Sequence, residues 1–330
     1  MSGNIRILKI MSKKIRISIY VIFIILIFTG LSVFFLLKSQ MGNDKSMASE
    51  NKKLQVVTTL FPLYDFSKSI GQDKVQVTLL LPPGVEAHSF EPKPADVILI
   101  NQADIFIYTG KFMEPWAEDI VKSITNKNLL VVNASNGIKL IPAVFYDSDE
   151  SSGSMDPHIW LDFDNAKMMV NSIMQAFTEK DPENKSFYEK NTEEYKQQLT
   201  DLDNDYKSAL SLCESKEIIY AGHYAFGYLA KRYGLKYLAA QGVSPDAEPT
   251  ANDPINLVNQ IKEDNIKYIF YEELASPKIA ETLSNETGAK LLVLNAAHNV
   301  SKEQLERGIT FISIMKSNLN NLKTGLGYKQ

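Results

Sequence analysis

The chain has 330 residues, 45% of them apolar and 22% charged, enough to bury a large core and too hydrophobic for a disordered or fibrous protein. Thirty-five basic residues against 39 acidic ones leave a formal charge of −4, which gives polyanions no electrostatic footing and excludes nucleic acid as an expected partner. A single cysteine, Cys213, rules out intrachain disulfides and every multi-cysteine zinc or iron–sulfur site, so any metal must be held by nitrogen or oxygen.

Residues 1–16 carry Arg6, Lys9, Lys13, Lys14 and Arg16, and residues 17–37 are apolar but for Ser18, Thr29, Gly30 and Ser32. At ~1.5 Å per residue such a run crosses a ~30 Å hydrocarbon core. Lys38 is the only basic residue close behind it, so the positive-inside bias puts the body of the protein on the outer face of the cell membrane. The expectation is a cytoplasmic stub over 1–16, a transmembrane signal anchor over 17–37 and a flexible tether over 38–53. A cleaved signal peptide is the alternative, but its apolar stretch should span only ~7–15 residues, and no small-x-small cleavage site follows. No cysteine follows to accept a lipid.

From Leu54 onward, β-rich runs alternate with helical stretches, the pattern of a parallel α/β sheet. The expected strands are Leu54–Leu60, Val75–Leu81, Asp104–Tyr108, Leu129–Asn133, Ile218–Ala221, Lys236–Ala240, Lys267–Tyr271 and Leu291–Asn295. They fall into two sets of four. The string beginning at Leu129 resembles the one beginning at Leu291, and the segment Gly84–Asp96 resembles Gly242–Asp253 in the same order. The predicted fold class is α/β, with two pseudo-symmetric lobes, each a mainly parallel four-stranded sheet flanked by helices. Their expected bounds are 54–180 and 215–330; convergence of similar βα strings is the alternative to a true repeat.

Between them, Asp181-Pro182 opens a stretch with Phe187, Tyr188, Tyr195, Leu199, Leu202, Tyr206 and Leu210 at mostly helical intervals, and no Gly or Pro interrupts Glu183 to Glu214. One helix of that length, about 48 Å, would join the lobes rigidly over 181–214. Two helices broken near Asp201–Asn204 are the alternative.

The four histidines, His88, His158, His223 and His298, lie too far apart for a zinc finger or a His-Glu-x-x-His helix. Three follow predicted strand ends, where α/β sheets place ligands; His158 fits less well, about 25 residues beyond Asn133, with only the Asp156-Pro157 turn suggesting a loop. Each lobe supplies two, so a cleft between facing lobes gathers all four. Four neutral imidazoles suit tetrahedral Zn²⁺ rather than Ca²⁺. A closed shell leaves no position for an activated water and favours holding a metal over hydrolysis.

With these residues in view, the chain resembles the metal-binding solute-binding proteins of zinc and manganese ABC importers over nearly all of Leu54 to Leu322. The resemblance rests on Phe61-Pro62, the segments Gly84–Pro92, Met155–Asp162 and Gly222–Tyr228, the turn Gly242–Pro249, and Glu272 with Ser276-Pro277-Lys278. It implies two α/β lobes, a rigid connecting helix, a metal buried between the lobes and delivery to a permease with its ATPase. It also implies metal ligation by His88, His158 and His223. The fourth position in the family is commonly a carboxylate, and His298 stands there in this chain, with a water or Glu272 as alternatives. An all-nitrogen set favours Zn²⁺ over Mn²⁺, with affinity expected to weaken below about pH 6. The family's histidine-rich loop is absent; the acidic, serine-containing stretch 143–156 occupies its place.

The expected function is therefore a membrane-anchored, monomeric, non-enzymatic zinc receptor. Two other readings remain open: an extracytoplasmic zinc hydrolase with Glu86 or Glu272 as general base, and a Mn²⁺ receptor or surface adhesin on the same scaffold. Trp160, Tyr224 and Phe226 stand beside the proposed ligands and are expected to exclude water from them.

Overall fold

A computed structural model of the chain describes residues 27, 29, 31, 32, 53–143, 154–242, 252–274 and 276–329. The chain divides into two compact units, Met1–Lys52 and Lys53–Gln330. In the first, Ile27, Thr29, Leu31 and Ser32 are helical and exposed; the rest of the expected anchor over 17–37, with the stub and nearly all of the tether, lies outside the described residues. Among the described residues no helix is long and apolar enough to cross a membrane.

The second unit holds two sheets. The first comprises β1 (Leu54–Thr58), β2 (Val75–Leu79), β3 (Ile105–Tyr108) and β4 (Leu130–Asn133); the second comprises β5 (Glu217–Ala221), β6 (Lys236–Ala239), β7 (Tyr268–Tyr271) and β8 (Lys290–Val293). All pairings are parallel, and the orders β2-β1-β3-β4 and β6-β5-β7-β8 are the same. Each of the eight expected strands is present, shortened or shifted by a residue or two at its ends, and the predicted repetition reappears as identical topology.

Parallel sheets need helices on both faces, and the alternation of side chains shows how each strand serves two cores. Val56, Ile105 and Ile107 face inward, while Val57, Phe106 and Tyr108 pack outward with Ile100 and Ala117. In the second sheet Ile218, Tyr220 and Phe270 face inward, and Ile219, Ala221 and Ile269 pack outward with Leu257 and Leu283. The inward faces of both sheets belong to one continuous core. Pulling the lobes apart would therefore expose apolar surface to water.

The helices of the first lobe are α1 (Phe61–Gly71), α2 (Pro94–Gln102), α3 (Ala117–Ser123) and α4 (Phe163–Lys180), followed by the long α5 (Lys185–Ser211). The second lobe adds α6 (Gly227–Tyr233), α7 (Asn252–Glu263), α8 (Lys278–Thr287), α9 (Lys302–Glu306) and α10 (Phe311–Gly325). The long helix is unbroken at Asp201–Asn204 and runs for 27 residues, about 40 Å. It begins later than expected because Pro182–Asn184 form a 3₁₀ turn, with the Asp181 carboxylate accepting from Tyr188 and Asn184.

One face of α5 is bolted to both lobes. Toward its start, Asn191 Nδ2 donates to Ile70 O (2.9 Å) and Tyr195 OH to the carboxylate of Asp65 (2.9 Å), both on α1. Toward its end, Tyr206 OH donates to Met315 O on α10 (2.7 Å). Arg232 of α6 donates from Nε and Nη2 to Asp203 and from Nη1 to Asp162, whose side chain caps α4. Charge-assisted contacts of this forked kind fix orientation as well as proximity.

Candidate metal centre

Three of the four histidines occupy the connections after parallel strands. His88 follows β2, where its backbone N–H donates to Glu86 Oε1 (3.0 Å); His223 comes two residues after β5; His298 lies five residues after β8. The fourth, His158, sits before a short 3₁₀ turn, Ile159–Leu161, that leads into α4. An isolated bridge between Pro142 and Met155 returns the chain to the cleft just ahead of it. Residues 144–153, between the two bridge partners, lie outside the described set, and the bridge is why distance from β4 in sequence does not keep His158 from the cleft.

The four rings converge. His158 Nε2 lies 3.2 Å from His88 Nε2 and 3.2 Å from His223 Nε2. Ring centroids of His223 and His298 are 5.5 Å apart, and those of His88 and His298 are 6.4 Å apart. Ligand nitrogens at ~2.0–2.1 Å from a tetrahedral ion would be separated by about 3.3 Å, close to the spacing within the first three. His88, His158 and His223 form one group able to hold a metal ion, and His223, Glu272 and His298 form another, each with its ligand atoms within 4.8 Å of one another. His158, His223 and His298 are buried, and His88 is the least enclosed.

Carboxylates hold the far sides of the rings. Asp156 Oδ1 accepts the backbone N–H of His158 (2.9 Å) and faces its Nδ1 (2.8 Å). Glu272 Oε2 faces Nδ1 of His223 (2.9 Å), and its Oε1 lies 3.6 Å from Nε2 of His298. A partner on Nδ1 sets the tautomer and leaves Nε2 free to ligate. Among the described residues, buried His298 Nδ1 meets no hydrogen-bond partner, an arrangement that costs free energy unless something polar meets it.

The electrostatics follow from crowding. Burial pushes the His88 and His158 imidazoles well below their usual range, and the neighbouring rings push them further. His298 is also lowered, chiefly by burial, with Glu272 opposing. His223 goes the other way: burial lowers it, but the charge and hydrogen bond of Glu272, with the charges of Glu86 and Asp156, more than compensate. Burial raises Glu272, yet His223 and His298 together hold it below the ordinary glutamate value. Three neutral imidazoles therefore surround one strongly paired with a carboxylate.

All four predicted histidines and Glu272 meet in one cleft. Sequence reasoning missed the role of Asp156, although an Asp two residues before a histidine is the signal that would have found it. Of the aromatic residues, Trp160 is fully buried with its ring 5.5 Å from that of His158; Tyr224 packs on Tyr237 and Phe226 on Tyr220. The Gly242–Pro249 turn lies outside the described residues beyond Gly242.

The profile of the zinc-uptake complex component A, periplasmic family (ZnuA), matches residues 56–325. The chain belongs to this family. Among relatives of this ZnuA family member, the high-affinity zinc uptake system protein ZnuA of Bacillus subtilis is 43% identical over 302 residues, covering 88% of this chain and 94% of that one. A crystal structure of Zn(II)-bound AdcA from Streptococcus pneumoniae superposes with a TM-score of 0.72 at 36% identity, over 84% of this chain and 58% of that one, so this chain spans little more than half of AdcA. The laminin-binding protein Lmb of Streptococcus agalactiae, described as having adhesin and metal transporting activity, superposes with a TM-score of 0.74 at 31% identity, over 83% of this chain and 99% of that one. The ZnuA family is one of periplasmic binding proteins rather than enzymes.

Proposed function

We propose that the chain is an extracytoplasmic receptor that captures Zn²⁺ on His88, His158, His223 and His298 and passes it to the permease of an ABC importer. Glu272 orients His223 rather than entering the shell. The observation that carries the reading is the meeting of His88, His158 and His223 through their Nε2 atoms at coordinating separations. Similarity to zinc-uptake and Zn(II)-bound proteins supports it. Nitrogen donors favour Zn²⁺ over Mn²⁺, which prefers oxygen, and a closed shell gives no place for hydrolytic water. The apolar run at 17–37 anchors the receptor to the membrane, with the lobes taken as 54–180 and 215–330 about the helix of 181–214.

The test is native mass spectrometry with elemental analysis of the purified chain, alongside zinc uptake by cells lacking it. One zinc per chain and impaired uptake are expected; a chain that carries no ion, or manganese in preference to zinc, overturns the reading. A surface adhesin is the second reading, supported by the likeness to Lmb. Loss of attachment with uptake intact would favour it.

A further inference from the structure

The connection carrying His298 follows β8 and so belongs by topology to the second lobe, and its first residues, Leu294 and Asn295, are bonded there to Tyr220, Tyr271 and Asn318, whereas the stretch Ala296–Val300 is bonded largely to the first lobe. Trp160 Nε1 donates to Ala296 O (2.8 Å), Phe61 N–H to His298 O (3.3 Å), and Gly84 N–H to Val300 O (3.0 Å). Asn299 contributes most. Its Nδ2 donates to Pro82 O (2.9 Å) and Val85 O (2.7 Å), while its Oδ1 accepts from Val300 N–H (2.8 Å). The side chain is enclosed, at 1% exposure, and both carbonyls it takes belong to the connection that carries His88.

Only a primary amide of this length meets all three demands, offering two donors to one strand of chain and an acceptor to its own. Truncation would strip Val85 O of the Asn299 donor and leave Pro82 O with the Val85 N–H (3.1 Å) in place of two donors. Beside it, Ala297 is held at φ +60°, a left-handed conformation that persists for a non-glycine residue where surrounding bonds impose it. His158 and His223 have their own carboxylate supports on the ring, whereas Glu86 meets His88 at its backbone N–H.

We propose that Asn299 is a positioning residue for the metal site: it pins the His88 connection to the His298 connection, so that these two rings, from opposite lobes, are held facing one cleft before an ion arrives. This rests on the metal-binding reading above. Ordering the ligands in advance removes a cost that the ion would otherwise bear on binding. Loss of the side chain weakens binding through His88 in particular, because both carbonyls that Asn299 takes lie in the His88 connection.

The experiment is a competition titration of the full chain with zinc and a chromophoric chelator, read beside the melting of the metal-free protein. The variants are Asn299→Ala, Asn299→Ser, His88→Ala, the double variant His88→Ala/Asn299→Ala, and Asn191→Ala, which loses a buried hydrogen bond far from the site. Asn299→Ala should weaken zinc binding roughly ten- to hundredfold, with Asn299→Ser intermediate and Asn191→Ala unchanged in affinity. On the His88→Ala background the further loss should shrink to less than about threefold, since what Asn299 positions is gone. Equal losses with and without His88, or wild-type affinity in the Asn299 variants, overturn the proposal. Should Asn299→Ala show no melting transition, Asn299→Ser alone decides in the same way. A wild-type chain that binds no zinc overturns the metal-binding reading itself, an outcome distinct from failure of the Asn299 variants.

Discussion

Glu272 Oε2 lies 2.9 Å from Nδ1 of His223, a residue 49 positions earlier in the chain. The contact joins the ends of the neighbouring strands β5 and β7 and presents the opposite nitrogen of His223 to His158. Glu272→Gln keeps an acceptor for Nδ1 but removes the charge that makes the imidazole a stronger donor to metal. Zinc affinity should fall roughly ten- to hundredfold, measured by chelator competition at pH 7.5, with the fold unchanged by circular dichroism. Unaltered affinity would place Glu272 outside the binding machinery.

The same pair sets the pH dependence. Protons compete with the ion for each ring nitrogen, so affinity falls wherever a ring becomes protonated. His223 is raised above the ordinary 6.5, whereas His88, His158 and His298 are lowered beneath it. Competition should therefore begin above pH 6.5 with one proton, about tenfold in affinity per pH unit, and steepen only at lower pH as the other rings join. Titrations at pH 8, 7, 6 and 5 give the slope. A flat profile down to pH 6 would contradict this order.

Asp65 provides a second titration, away from the histidines. Burial raises its carboxyl from 3.8 to about 6, against the opposing hydrogen bonds from Tyr195 and the Phe311 backbone. The folded chain then holds a proton up to about pH 6 that the unfolded chain releases near 3.8, so stability falls as pH rises across that window and levels off above it. The difference is on the order of 2 to 3 kcal/mol. Asp65→Asn should remove it. The melting temperature of the variant relative to wild type should be higher at pH 7.5 than at pH 4.5, and a constant difference between the two pH values would disprove the assignment.

A methyl group can probe the support of His158. A Cβ at Gly227 would stand 2.5 Å from Asp156 Oδ2 and 2.8 Å from Tyr224 Cε1, too close for either to stay. Gly227→Ala should displace Asp156 from His158 and weaken zinc binding about tenfold. Gly71→Ala, whose Cβ would meet Val75 Cγ2 at 2.3 Å in the core, should instead cost about 1–3 kcal/mol of stability and leave affinity alone. Urea unfolding and zinc titration of both proteins separate the effects.

The strands were legible because β-branched and aromatic runs such as Ile105–Tyr108 are buried on both faces, and continuous apolarity marks a parallel strand locally. The start of α5 was less legible. Asp181-Pro182 fits a helix entrance equally well as a 3₁₀ turn, and the choice depends on Tyr188 and Asn184 bonding back to Asp181. Likewise, the approach of His158 to the cleft was obscured because a bridge between Pro142 and Met155, rather than local propensity, returns the chain there.

By itself the sequence determined which atoms were available: one cysteine, four histidines, two sets of four strands, and an apolar run near the start. These follow from composition and short-range periodicity, which each segment carries alone. The tertiary structure decided how the donors are used. That Asp156 and Glu272 sit behind different rings, that His223 alone is raised, and that the His298 connection is fastened to the opposite lobe all depend on contacts between residues distant in the chain. Hydrogen bonds and charge interactions act over a few ångströms of space whatever the separation in sequence, so the environment of each ring exists only once the two sheets share a core.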